Sequence, residues 1–253
     1  MRPVLFFLGP IHLYAFGAMI LLGVFVSLFL MERRAKRDGF PKPGDVFDLV
    51  FVTVLAGLAG ARLLYVWQNF GWYRQRPLHA FALWEGGLIF YGGLVTAFLA
   101  FYLAARVKKI PFVKGLDFIL PYAALTHAFG RIGCFLNGCC YGKACDLPWA
   151  VHFPEFPEGV RVHPTQLYEA LFLFGIFLFL NARYPVHKRA GEISVWYFLL
   201  YGSGRFLVEF YRGDNPVWFF LTANQWISLA VISTAAAFYF FVLKPSKAGK
   251  KSR

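Results

Sequence analysis

The sequence predicts an all-α integral membrane protein of about seven transmembrane helices, with its N-terminus outside and its C-terminus inside. Three observations lead there. Of 253 residues, 58% are hydrophobic and only 15% are charged, against roughly 45–50% and ~25% in soluble globular domains. Seven apolar stretches approach the ~20 residues that a helix needs to cross a ~30 Å hydrocarbon core. Basic residues recur in short clusters between those stretches, at Arg33–Arg37, Arg106–Lys114, Lys188–Arg189 and Lys244–Arg253, which is the pattern of cytoplasmic loops. The net charge of +13 is therefore an orientation signal, and nucleic acid is not an expected partner.

The predicted spans are 12–31, 45–66, 87–105, 116–136, 165–182, 192–210 and 224–243. The first runs into a basic stop and reads as an uncleaved helix. With the N-terminus outside, segments 32–44, 106–115, 183–191 and 244–253 lie inside and carry 17 Lys and Arg; the outer segments carry 6. That imbalance sets the orientation. Residues 1–243 are expected to form one helical domain and 244–253 a basic cytoplasmic tail facing anionic lipid. Two longer segments are expected on the outer surface, shaping an entrance. One, 67–86, carries Trp72, Tyr73 and Trp84, rings that suit the headgroup layer. The other, 137–164, has prolines at 148, 154, 157 and 164 and should not be one regular helix.

Charges inside the apolar stretches mark the chemistry. A central charge costs ~2.5–3.5 kcal/mol on insertion scales, so it usually faces a polar cavity or a partner. Arg62, near the outer end of its span, reads equally as a residue snorkelling to the interface. Arg131 and Arg205 are stronger candidates. In the sixth span Tyr201, Arg205, Glu209 and Arg212 are spaced four, four and three apart, on one helical face, and Gly202 and Gly204 allow another group to approach closely. The bland alternative is an Arg–Glu pair that locks two helices.

The fourth span ends in His127-Ala128-Phe129-Gly130-Arg131-Ile132-Gly133-Cys134, followed by Asn137, Gly138 and Gly142. The Arg131 fork suits a phosphate in a way that a lysine does not, and Asn137 adds neutral donors. The fifth span begins His163-Pro164-Thr165-Gln166-Leu167-Tyr168-Glu169. Pro164 is expected at the first helical position, with the helix N-terminus turned toward a lipid phosphate. Glu169, about one turn into the membrane, is either an acid or base or simply the partner of an arginine. Cys134, Cys139, Cys140 and Cys145 are spaced C-x4-C-C-x4-C, unlike the usual C-x2-C zinc or redox pattern. A disulfide and reduced, buried thiols suit them equally, and no metal or cofactor is expected.

Taken in order, these motifs resemble the prolipoprotein diacylglyceryl transferase family. They are joined by Ile11-His12-Leu13-Tyr14, Gly60-Ala61-Arg62 and the stretch from Gly86 to Gly93. The resemblance covers nearly the whole chain. It implies a seven-span enzyme of the bacterial inner membrane with its active site toward the periplasm. Such an enzyme moves the diacylglyceryl group of phosphatidylglycerol onto the lipobox cysteine of a preprolipoprotein, forming a thioether and releasing glycerol phosphate, with membrane lipid as surroundings and no cofactor. By that resemblance Arg131, Arg205, Glu169, Tyr91 and His163 are catalytic candidates. Tyr14, Arg62, Asn137, Gly142, Gln166, Tyr201, Glu209 and Arg212 are substrate-binding candidates. Tyr91 stands where the family commonly has His, Cys134 where it has Asn, and Cys139 where it has Glu. A divergent paralogue with another lipid or acceptor, and a membrane thiol-redox protein using the four cysteines, are the alternative readings.

Overall fold

Each apolar stretch becomes a helix in the computed structural model, which describes residues 4–8, 11–213 and 215–243. Two short strands, β1 (Val4–Leu8) and β2 (Ile11–Tyr14), precede α1 (Ala15–Asp38). Then come α2 (Asp45–Gln68), the short α3 (Phe70–Gln75), α4 (Phe90–Val107) and α5 (Phe112–Asn137). Next are α6 (Thr165–Arg183) and α7 (Glu192–Glu209), strands β3 (Val217–Trp218) and β4 (Leu221–Thr222), and α8 (Ala223–Phe238). Among the described residues, five helical segments are long and apolar enough to cross a membrane: Ala15–Asp38, Asp45–Gln68, Phe90–Val107, Phe112–Asn137 and Thr165–Val186. The predicted sixth and seventh spans are helical too. However, α7 carries Glu192, Arg205 and Glu209, and α8 has 16 residues before a π-helical turn. The basic tail 244–253 lies outside the described residues.

The boundaries differ from expectation for physical reasons. Residues 11–14 are extended, so the first helix starts at Ala15; it then runs past the basic stop to Asp38. Glu, Ala, Lys and Arg are good helix formers, so the charges mark a membrane edge without ending the helix. Gly39 ends it, at φ 68° and with its N–H on the Ala35 carbonyl, a left-handed terminus that glycine adopts freely. Pro164 is the residue before the first helical position of α6, not that position itself. The hairpin β3–β4 was not expected. Its two-residue turn is Phe219-Phe220, both at positive φ, where Asn-Gly is the usual signal.

The chain divides into two compact units, one of 28–115 with 8–12 and the other of 13–27 and 116–253 with 1–7. In the first, α2 and α4 meet backbone to backbone. A Cβ on Gly92 would lie 2.5 Å from the Gly60 carbonyl, and one on Gly93 2.9 Å from that of Gly57. The Thr96 hydroxyl donates to the Ala56 carbonyl at 2.9 Å. Small residues permit this approach where lipid offers no hydrophobic drive between helices. Lys108, just past α4, pairs with Asp45 at 2.8 Å and with Asp48, and these hydrogen bonds hold its ammonium above its ordinary pKa.

In the second unit the glycines of α5 receive α1. Gly130 faces Ile20, and Gly133 faces Phe16 and Met19. The Ser27 hydroxyl donates to the Tyr122 carbonyl at 3.1 Å. At the opposite end of α5, the fully buried Asp117 accepts the N–H groups of Gly191 (2.5 Å) and Ser194 (2.8 Å) and the Ser194 hydroxyl (2.6 Å). One helix thereby supplies the N-terminal cap of another, satisfying donors that α7 leaves unpaired. The segment 137–164 is irregular, folded over the buried Phe153 and joined by paired Val151 and Val162.

Gly92→Val should lower stability by about 1–3 kcal/mol through overpacking. Gly17→Ala, where an added Cβ meets nothing within 4 Å, should be neutral. Thermal unfolding of the detergent-solubilised protein compares the two.

Candidate functional site

The chemistry-bearing residues of the second unit gather at one end of it, where α5 and α7 finish and α6 and α8 begin. Glu169, one turn into α6, takes a guanidinium on each oxygen. Arg131 of α5 lies at Oε2 and Arg205 of α7 donates to Oε1 at 2.7 Å. Arg205 turns its other Nη to Glu209, one turn further along α7, at 2.9 Å. Glu209 Oε1 then accepts from Asn215 (2.7 Å), the Thr222 hydroxyl (2.8 Å) and Asn224 (3.0 Å). Thr222 and Gln225 also form a reciprocal cap on α8. The result is an alternating chain of two cations and two anions.

Exposure is lowest at the Glu209 end of the chain. The Arg131 and Arg205 side chains are 15% and 13% exposed, Glu169 9% and Glu209 0%. Glu209 is thus an interior anchor, its Oε1 taking three neutral donors and its Oε2 facing Arg205, while each arginine has N–H donors beyond those its carboxylates use. Burying these charges is tolerable only because each is paired. Tight packing closes the rest: a Cβ on Gly204 would strike the Phe172 ring at 1.9 Å, and one on Gly202 would meet Ile232 at 2.8 Å. Those glycines admit neighbouring side chains, not a lipid headgroup.

Tyr201 lies one turn before Arg205, beside Arg131, and its ring is 5.8 Å from Tyr197 and 5.5 Å from His127. His127 was missed as a site residue, although its place four residues before Arg131 puts it on the same face. Arg212 does not continue the α7 stripe. The helix ends at Glu209, and Arg212 lies in the turn beyond, where its charge acts on Cys140.

The turn at 138–142 rests on the start of α6. Buried Gln166 donates to the Cys139 carbonyl at 2.7 Å, and Thr165 donates to that of Cys140 at 2.9 Å. A Cβ on Gly142 would meet the Tyr211 carbonyl at 2.6 Å, so Gly142 serves close backbone packing. Asn137 is the exposed last residue of α5, with its side chain toward Cys139. The Cys134, Cys139 and Cys140 sulfurs lie within 4.8 Å of one another, and all four cysteines are free thiols. Hydrogen bonds from the neighbouring Cys134 and Cys139, with Arg212 and Arg131 nearby, hold the Cys140 thiol below its ordinary pKa.

His163 sits apart, among Tyr168 and Tyr211. Trp149 donates to the Tyr168 hydroxyl at 2.7 Å, and that hydroxyl lies 3.2 Å from His163 Nδ1. Among the described residues no hydrogen bond or ion pair joins His163 to the arginine–glutamate chain. Tyr14 is exposed at the end of β2.

Two expected site residues belong to the first unit. Tyr91 is exposed near the start of α4, its ring against Phe90. Arg62 is buried, with all three guanidinium nitrogens engaged by carbonyls: His79 (2.5 Å), Ala80 (2.9 Å), Ala82 (3.0 Å), Gly87 (3.3 Å) and Gly86. It does not snorkel, and its donors are taken up by these carbonyls; it clamps the segment from His79 to Gly87.

Fold and site together define a multi-pass helical membrane protein with a mostly buried pair of arginines at one end of its second unit. Residues 3–241 match the family described as Prolipoprotein diacylglyceryl transferase. A Clostridium tetani protein named phosphatidylglycerol–prolipoprotein diacylglyceryl transferase is 36% identical over 92% of this chain and 94% of its own. Proteins of the same name from Bordetella parapertussis (37%, 96% of each chain) and Geobacter sulfurreducens (40%, 83% of this chain and 82% of its own) are similarly related. The chain belongs to the prolipoprotein diacylglyceryl transferase family.

Glu209→Ala leaves Arg205 and three neutral donors without their acceptor and should cost about 3–5 kcal/mol. Glu209→Gln, which keeps an acceptor oxygen, should cost less. Chemical or thermal denaturation in detergent measures both.

Proposed function

We propose that this chain transfers the diacylglyceryl group of phosphatidylglycerol to the lipobox cysteine thiol of a preprolipoprotein, forming a thioether and releasing glycerol phosphate. The observation that carries the reading is the pair Arg131 and Arg205, braced on either side of Glu169 with small fractions of their side chains, 15% and 13%, still exposed. A thiol must attack a glyceryl carbon while a phosphate ester departs with the bonding electrons. The phosphate is anionic throughout and gains charge as the C–O bond breaks. Two guanidiniums already fixed in place stabilise that charge without reorganising. Their planar forks match phosphate oxygens.

The remaining roles follow the family resemblance. Glu169 and Glu209 orient the arginines. Tyr201, Tyr14, Asn137 and Arg212 are assigned to substrate contact, Gln166 to holding the turn at 138–142, and His163 and Tyr91 to proton handling. Gly142 lets its turn pack against Tyr211, and Arg62 holds the carbonyls between His79 and Gly87 in its own unit. The orientation is seven spans, N-terminus outside and C-terminus inside, in the bacterial inner membrane with the active site periplasmic. The positive-inside imbalance supports it, as does the grouping of the arginine site with segment 137–164 at one end of its unit. Residues Arg183, Lys188 and Arg189 lie at the other end.

The test uses purified protein, phosphatidylglycerol and a lipobox peptide, with mass spectrometry of the peptide. A mass gain of one diacylglyceryl group is expected. Arg131→Ala and Arg205→Ala should each lower turnover by about 100-fold or more, and Arg205→Lys should not restore it, because an ammonium cannot bridge two carboxylates as the fork does. No gain, with a relative's enzyme active in the same conditions, would overturn the reading.

A further inference from the structure

The sequence spacing of the cysteines resembles no metal motif, yet the fold brings three of them together. The α5 helix ends one turn beyond Cys134, and the turn at Gly138, φ 76°, with Cys140 at φ 65°, folds Cys139 and Cys140 back over it. The three sulfurs then lie within 4.8 Å of one another. Zinc–thiolate bonds of about 2.3 Å in a tetrahedral arrangement hold sulfurs about 3.8 Å apart. The cluster is therefore within a side-chain rotation of a coordination site.

Its surroundings suit such a site. Cys134 is buried, while Cys139 and Cys140 are only partly covered, so one side of the cluster is open. The backbone that carries it is pinned by Gln166 to the Cys139 carbonyl and by Thr165 to that of Cys140. Three thiolates around a dication leave one net negative charge, and Arg131 and Arg212 both lie close enough to act on Cys140. Cys134 is also three residues after Arg131 on α5, on its face of the helix. The arginine–glutamate chain itself supplies no idle base: Glu169 is held by two guanidiniums, and Glu209 is sealed by Arg205 and three neutral donors.

We propose that Cys134, Cys139 and Cys140 bind a thiophilic d10 cation of the zinc type, whose remaining position, beside Arg131, takes up the acceptor thiol as a thiolate. The thiol-capture part rests on the transferase reading above. Three protein ligands with an open fourth position are the arrangement of catalytic zinc, and metal binding deprotonates a coordinated thiol. The acceptor thiol gives its proton to solvent on binding. Its sulfur lone pair then forms the bond to the glyceryl carbon as the C–O bond to phosphate breaks, the electron pair leaving with the phosphate. The metal changes no oxidation state, and the neutral thioether is a weaker ligand that can depart.

The full chain, purified reduced in detergent, is titrated with Cd2+ and followed by sulfur-to-cadmium charge-transfer absorption. One equivalent should saturate the band. Cys134→Ser, Cys139→Ser and Cys140→Ser should each diminish it, and Cys145→Ser should leave it intact. A lipobox peptide should strengthen the band, and the same peptide with its cysteine changed to serine should not. In the unmodified protein, Zn2+ should shield three thiols from alkylation and leave Cys145 reactive, a readout independent of how the variants fold. Absence of a saturable band, or a disulfide within the cluster in the reduced protein, overturns the site. A band indifferent to the thiol peptide overturns the capture role. Neither measurement needs phosphatidylglycerol, so a failure of the transferase reading would leave the metal band in place.

Discussion

Four ionised side chains in a row, Arg131, Glu169, Arg205 and Glu209, are the constraint around which the second unit is arranged. None of them is tolerable alone among apolar helices. Each neutralises the next, and the links run from α5 to α6 to α7 and, through Thr222 and Asn224, to α8. Four helices must therefore end or begin at matching depths for the charges to meet. Gly202 and Gly204 remove the side chains that would hold those helices apart. The hairpin β3–β4 brings Thr222 to Glu209. Packing and electrostatics here are one requirement: loosening the helices strands a charge, and removing a charge leaves its partner unsatisfied.

The same arrangement separates anchoring from binding. The inner end of the row, Glu209, is fully buried, whereas the two arginine side chains keep a small exposed fraction. Each cation is already satisfied by a carboxylate, so its place does not depend on a bound anion. Glu169 is central to that economy of motion: one carboxylate sets the positions of two guanidiniums from different helices.

Much of this was legible in the sequence, for identifiable reasons. Hydropathy located a helix in every apolar stretch, because long runs of Phe, Leu and Val in lipid have no alternative to helical hydrogen bonding. The i, i+4 spacing of Tyr201, Arg205 and Glu209 put them on one face, and the plain reading of Glu169 as an arginine partner matches the ion pairs observed. Tertiary facts were not legible. Nothing local marks Phe219-Phe220 as a tight turn, the end of α7 at Glu209 takes Arg212 off its stripe, and the cysteines converge only because glycine and a left-handed Cys140 reverse the chain. Arg62 showed the same limit: its charge was evident, but its carbonyl partners lie 17 to 25 residues away.

Those carbonyls have a wider consequence. Between His79 and Gly87 the backbone forms only short 3-10 turns, and Leu78 and Phe81 are 82% and 80% exposed. A stretch of that kind in an apolar setting would ordinarily need water at each unsatisfied carbonyl. Here a single guanidinium gathers them, as a drawstring gathers cloth. The exposed apolar side of the stretch, Leu78 and Phe81, is left free to lie in lipid while its carbonyls stay drawn inward.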